Sequence, residues 1–152
     1  MDPRKYAVMT YLQDGSMVHI RAIRATDKLQ LREGFHKLSL NTIYFRFHQA
    51  KQDLSARELT YFTEIDFINH VALVVTITVA ETEIILAVGR YIVTASNSEC
   101  KSAEVALIVS DDHQDRGIGT ILFQHLVTIA RAGGITLFQA EVLAINHRMF
   151  RI

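Results

Sequence analysis

Apolar and polar positions change rhythm several times along the chain, and each change predicts an element. Val18, Ile20 and Ala22 alternate with His19, Arg21 and Ile23, the period of two that a strand produces. Residues 1–16 before them read as an arm that ends in the turn Asp14-Gly15-Ser16, three residue types suited to turns. Thr26 or Asp27 can cap a helix in which Leu31, Phe35 and Leu38 recur at helical spacing. Ser55-Ala56-Arg57-Glu58 has the form of a capping box, with Ser55 bonding forward and Glu58 back, and predicts a short helix containing Leu59 and Phe62. His70 to Val79 and Ile84 to Val93 are rich in β-branched residues. With the short connector Ala80-Glu81-Thr82 they predict an antiparallel hairpin. Beyond the polar loop Ala95 to Lys101, Ser102 to Ser110 predicts a third strand of the same meander. Ile118, Leu122, Leu126 and Ile129 then fall on one helical face, Gly133-Gly134 ends that helix, and Ile135 to Leu143 predicts a last strand. The order is strand, helices, three strands, helix, strand, which points to an α+β or mixed α/β sheet and away from a regular parallel alternation.

Composition narrows the class without naming an activity. The 152 residues suit one domain, and an apolar share of 49% makes a sizeable core available. Formal net charge is zero, so nothing biases the chain toward nucleic acid or an anionic membrane. Cys100 is the sole cysteine, which excludes an internal disulfide and suits a reducing cytoplasm. No apolar signal core follows Met1-Asp2-Pro3-Arg4-Lys5, and the longest apolar stretch, Val71 to Val79, is broken by Thr76 and Thr78. A membrane span needs about 20 apolar residues, so the expected protein is soluble and cytoplasmic. His19, His36, His48, His70, His113, His125 and His147 show no metal-ligand spacing, and no metal is expected.

The chemistry concentrates between Ser102 and Thr120. There an apolar strand runs through Asp111-Asp112-His113 into Gln114-Asp115-Arg116-Gly117-Ile118-Gly119, and the turn opens a helix. The first turn of a helix presents free backbone N–H groups and the positive end of its dipole. Glycines at 117 and 119 let a pyrophosphate approach those donors, and Arg116 adds a charge. A plain strand-turn-helix is one alternative reading. A dinucleotide-binding fingerprint is another, with Glu141 as its acid. However, Leu122 occupies the third glycine position, and Asp111 to Arg116 intervene between strand and glycine.

Gln114-x-x-Gly117-x-Gly119, with a meander before it and a helix and strand after it, resembles the acyl-CoA signature of the GNAT acyltransferase superfamily. Val142-Leu143-Ala144-Ile145-Asn146-His147-Arg148-Met149 resembles the next motif of that family. Leu38-Ser39, Tyr44-Phe45-Arg46-Phe47, Leu54-Ser55 and Asp66 are similar to the GNAT domain of bacterial protein lysine acetyltransferases. The likeness covers residues 17–152, which implies an N-terminal arm over 1–16 and one GNAT domain over 17–152. It implies a mostly antiparallel sheet flanked by helices, with the last two strands of the usual sheet missing. It also implies acetyl-CoA as acyl donor, with Gln114, Asp115, Arg116, Gly117, Ile118, Gly119 and Thr120 binding its pyrophosphate and Asn146 its pantetheine arm. A backbone N–H from Leu107, Ile108 or Val109 would meet the oxyanion. Glu104 would be the general base, its pKa raised by partial burial on an apolar strand. Glu81, Glu83 and Glu99 are weaker candidates.

The family often takes its general acid from a tyrosine beyond the fifth strand, and this chain has no tyrosine after Tyr91. The implied acceptor is a protein lysine, in an acyl-CoA synthetase or another protein. Alternatives are a small-molecule amine or a non-catalytic acyl-CoA-binding module. An open sheet edge suggests pairing with a second copy.

Overall fold

β-Branched stretches carry the architecture in the computed structural model, which describes residues 1–37, 53–97 and 99–140. Six strands form one sheet in chain order: β1 (Ala7–Tyr11), β2 (Met17–Ala22), β3 (His70–Val79), β4 (Thr82–Ser96), β5 (Lys101–Val109) and β6 (Leu137–Gln139). Neighbours are antiparallel except β5 and β6, which are parallel. Helices α1 (Lys28–His36) and α2 (Ala56–Thr63) lie between β2 and β3 in the chain, and α3 (Ile118–Ala132) joins β5 to β6. A parallel pair needs such a crossover. The mixed α+β sheet with a three-strand meander is the architecture the hydrophobic rhythm predicted.

Residues 1–16 do more than an arm would. Ala7–Tyr11 pairs with Met17–Ala22, from Ala7 opposite Arg21 to Tyr11 opposite Met17. The expected turn at 14–16 closes this hairpin, with Gly15 at φ 88° and Leu12 N–H donating to the Ser16 carbonyl at 2.9 Å. The β3–β4 turn has no glycine; Ala80 and Glu81 both adopt positive φ, 50° and 67°. That is the backbone twist a two-residue hairpin demands.

The sheet buries its two faces differently. On one, α3 lays Ile118, Leu122, Leu126 and Ile129 against Val71, Leu73, Val75, Ala87, Tyr91, Ala103 and Val105. Gly89 on β4 makes this approach possible: a Cβ there would lie 2.6 Å from Leu107 Cδ2 and 2.9 Å from Leu122 Cδ2. The other face carries Ala72, Val74 and Val88 with Ile23, and α1 and α2 meet through Phe35, Leu54 and Leu59.

The two expected caps turned out differently. Ser55 Oγ accepts from Glu58 N–H at 3.1 Å while Glu58 Oε1 accepts from Ser55 N–H at 3.1 Å, the expected box. Asp27 caps nothing in α1. Its carboxylate instead takes Arg21 in a two-pronged pair, Nη1 to Oδ2 at 2.9 Å and Nη2 to Oδ1 at 2.8 Å, and Arg24 N–H at 2.8 Å. Glu83 completes the cluster, 2.6 Å from Arg21 Nη2, so this weaker base candidate is occupied in an ion pair. The strand expected over 135–143 is described only as Leu137–Gln139; residues 141–152 and 38–52 lie outside the described set. Among the described residues no helix is long and apolar enough to cross a membrane.

Candidate active site

The site is built where β5 leaves the sheet. β6 pairs with β5 only at Ser102, Ala103 and Glu104. Beyond that point β5 has β4 on one side and, among the described residues, no strand on the other. Which backbone groups face the uncovered edge follows from the ladder. Ser110 N–H donates to the Leu86 carbonyl at 2.8 Å, and with the β4–β5 register this directs Ser110, Ile108, Ala106 and Glu104 toward β4. Alternation then turns Val105, Leu107 and Val109 toward the open edge. Gln114 agrees with this phase: its Nε2 donates to the Val109 carbonyl at 3.1 Å, from the side away from β4. Of the three residues proposed to supply an oxyanion donor, Leu107 and Val109 have N–H groups aimed outward. Ile108 does not, because its N–H serves the β4 ladder.

The turn that follows is held by backbone conformation. Asp111–His113 forms one 3-10 turn, Gln114 returns to extended geometry, and Asp115 and Gly117 take positive φ of 63° and 81°. Gly117 is therefore required by conformation, as a left-handed residue at the N-cap of α3. Gly119 is not, since a Cβ there would meet only Val109 Cγ2 at 3.8 Å; what its hydrogen leaves is room in front of the helix. The first intrahelical bond closing this end is Ile121 N–H to the Gly117 carbonyl at 3.1 Å. The N–H groups of Ile118, Gly119 and Thr120 precede any i−4 carbonyl in α3. Gln114, Asp115, Gly117 and Thr120 are exposed, whereas Ile118 is buried against the core.

Two charged residues differ from expectation. Glu104 lies on β5, opposite Ile92 and Gln139, but is exposed rather than partly buried. Strand alternation turns its side chain to the face of α1 and α2, where it stands in solvent. Arg116 is not a loose cation on the turn. Its Nη2 donates to Asp14 Oδ2 at 2.6 Å and Ser16 Oγ at 3.2 Å, both on the β1–β2 turn. The Ser16 bonds and Arg116 bring the Asp14 carboxyl down to about 2. Asn146 lies outside the described residues. His113 Nδ1 is buried with no partner among them, and we have no physical account of it.

The sequence reading missed the face beside Glu104. On the same side of the sheet, a cleft of about 100 Å³ opens between α1, α2 and the strands, lined by Leu31, Phe35, Leu54, Phe62, Arg90 and Ile108 among others, with Glu104 outside its lining. Arg90, only 5% exposed, donates from Nη1 to the Phe62 carbonyl at 3.0 Å and meets His70 Nε2 at 2.9 Å. Its guanidinium also lies over the Phe62 ring, 4.6 Å from the centroid. Arg90 reads in sequence as one polar residue inside an apolar strand, and period-two patterning alone does not say that it is buried. Among the described residues no cluster of His, Cys, Asp or Glu side chains could hold a metal ion.

Comparison with known proteins agrees with this fold. Residues 37–151 match the sequence model of the acetyltransferase (GNAT) family. An acetyltransferase from Pseudomonas aeruginosa, PA5475, is 28% identical over 138 residues, which are 91% of this chain and 73% of that protein. The acetyltransferase Pat of Mycolicibacterium smegmatis is 30% identical over 141 residues, 93% of this chain; the chain spans only 41% of that relative. The crystal structure of the GNAT domain of S. lividans PAT superposes with a TM-score of 0.84 at 32% identity, covering 94% of this chain and 82% of that one.

Proposed function

Because the chain belongs to the GNAT acetyltransferase family, we propose that it moves an acetyl group from acetyl-CoA to the side-chain amine of a protein lysine. The observation that carries the coenzyme part is the continuity of two donor sets. The outward N–H groups of Leu107 and Val109 lie along a strand edge that no described strand covers, and that edge runs into the N–H groups opening α3, which have no i−4 carbonyl in the helix. An extended arm with amide groups can pair with a strand edge, and a pyrophosphate suits a helix N-terminus. Gln114 through Thr120 bind the pyrophosphate in this reading, and Asn146 contacts the arm.

In the reaction the neutral amine attacks the thioester carbonyl carbon. A C–N bond forms and negative charge develops on oxygen, where a backbone N–H of Leu107 or Val109 donates. The C–S bond then breaks as the nitrogen loses a second proton, and CoA departs as a thiolate that takes up that proton. Glu104 removes the proton the ammonium must lose. Its place on the face of α1 and α2 brings the acceptor across the sheet from α3, beside the cleft at Phe62 and Arg90.

The lysine acceptor rests on the likeness to bacterial protein lysine acetyltransferases. An acyl-CoA synthetase is the acceptor class that the likeness suggests, and the cytoplasm suits a free Cys100. The test is acetyl transfer from acetyl-CoA to a lysine peptide and to a small primary amine. Transfer to the peptide alone supports the reading; transfer to the small amine alone moves the acceptor to that class. Pairing of two copies through an open sheet edge is checked by sedimentation, where a monomer at every concentration removes it.

A further inference from the structure

The β1–β2 turn, at the other end of the sequence, meets the coenzyme turn at Arg116, and the form of that contact is informative. Arg116 uses a single nitrogen, Nη2, for both Asp14 and Ser16. Its Nε and Nη1 have no bond to any described residue. The anchor itself is fixed: Asp14 Oδ1 accepts from Ser16 N–H at 2.9 Å, and Gly15 N–H donates to the Leu12 carbonyl at 3.0 Å. At the other end, Arg116 sits between two left-handed residues, Asp115 and Gly117, which set where its side chain leaves the backbone. A flexible arginine at an exposed turn would lose rotamer freedom on gripping a phosphate. One already held at a single terminal nitrogen loses less, and three of its five hydrogens remain to donate.

We propose that Asp14 and Ser16 are positioning residues for the coenzyme: they hold Arg116 at the start of α3 with Nε and Nη1 left to take a phosphate. The inference rests on reading the 114–120 turn as the CoA phosphate site. It makes residues 1–16 part of the binding apparatus through a contact that spans 102 positions of sequence. A competing effect gives the proposal a definite sign. The Asp14 carboxylate also repels a phosphate nearby, so removing it weakens binding only if orienting Arg116 outweighs that repulsion.

The experiment is calorimetric titration of the full chain with CoA, together with donor kinetics using acetyl-CoA and phosphate-free S-acetylpantetheine. Arg116→Gln is expected to weaken CoA about tenfold and Asp14→Asn about threefold, with the kinetic loss in KM for acetyl-CoA. Asp14→Glu should recover part of it. The double variant should bind no worse than Arg116→Gln alone, because the two residues act as one unit. KM for S-acetylpantetheine should be unmoved by Asp14→Asn, which a general disturbance of the fold would not spare. Tighter CoA binding by Asp14→Asn, independent losses that multiply in the double variant, or an equal loss with S-acetylpantetheine overturns the proposal and leaves the CoA site standing. A folded wild-type chain that titrates no CoA removes both.

Discussion

The two faces of the sheet are held by different physics. Under α3 the contacts are apolar, and Leu122, Leu126 and Ile129 are at most 1% exposed. Across the sheet, the face of α1 and α2 buries Arg21, Asp27, His70, Thr76 and Arg90 beside its apolar residues and leaves a cleft of about 100 Å³. Apolar burial is non-directional and close-packed, so it grips α3 as a rigid body. The N-terminus of α3 is aimed by that grip, with Gly89 setting how near the helix can come. On the opposite face directional bonds hold charged groups at fixed places, and imperfect packing leaves space. One face fixes a set of backbone donors; the other presents side chains and leaves a cleft.

Several measurements can break or sharpen that contrast. The largest effect is expected on the polar face, where Asp27→Ala leaves Arg21, 2% exposed, with Glu83 as its one remaining carboxylate among the described residues beside the Ala22 carbonyl. Losing one partner of a buried pair should cost about 3 kcal/mol in urea unfolding; a change under about 0.5 kcal/mol would mean water relieves the charge. Glu104→Gln comes next. It should lower kcat about 100-fold while unfolding as the wild type does, since the residue is exposed. Equal turnover across the pH range removes Glu104 as base. On the apolar face, Gly89→Val should destabilise by about 2 kcal/mol through overpacking against Leu107 and Leu122. Because it displaces α3, it should also raise KM for acetyl-CoA. Unchanged KM in a destabilised variant would separate the packing of α3 from the aim of its N-terminus.

The smallest expected effects are in pH dependence, and their signs differ in origin. His125, bonded to Tyr6 beneath the sheet, has its pKa lowered by burial. The unfolded chain therefore binds its proton more readily. The stabilisation is whole above the unfolded value of about 6.5 and is lost as pH falls through that value toward the folded one. Glu83 is lowered chiefly by its bonds to Arg21, so its contribution is present above about 4.3 and is lost as pH falls below that. Melting temperatures should accordingly fall in two stages on acidification, and His125→Leu should flatten only the upper one. An unaltered upper stage in that variant would assign it to another group.

How far the sequence could be read depended on the distance between cooperating residues. Ser55 and Glu58 sit three apart, and their box was legible and formed as read. Gly117 was legible as the break between strand and helix, but its pattern suggested room for a phosphate, while the structure makes it a left-handed N-cap. Asp27 misled, since its position suited a cap while its carboxylate was taken by Arg21 on β2. Glu104 was placed on its strand by pattern, but its exposure depends on what packs over that face of the sheet. Arg116 resembled a free cation only because Asp14 and Ser16 are about a hundred residues away.

The types and order of the elements from β2 to α3, and the glycine turn that opens α3, were determined by the sequence alone, because periodicity, caps and glycines act over a few residues; the strand Ala7–Tyr11 was not. Tertiary structure alone decided that Leu107 and Val109 face the edge that no described strand covers while Ile108 faces β4. It alone paired Arg21 with Asp27 and Glu83, tied Arg116 to the first hairpin, and buried Arg90 beside a cleft. Those outcomes depend on strand register and on contacts closed across long loops. Both are set by the burial of the whole sheet, and no local pattern along the chain encodes them.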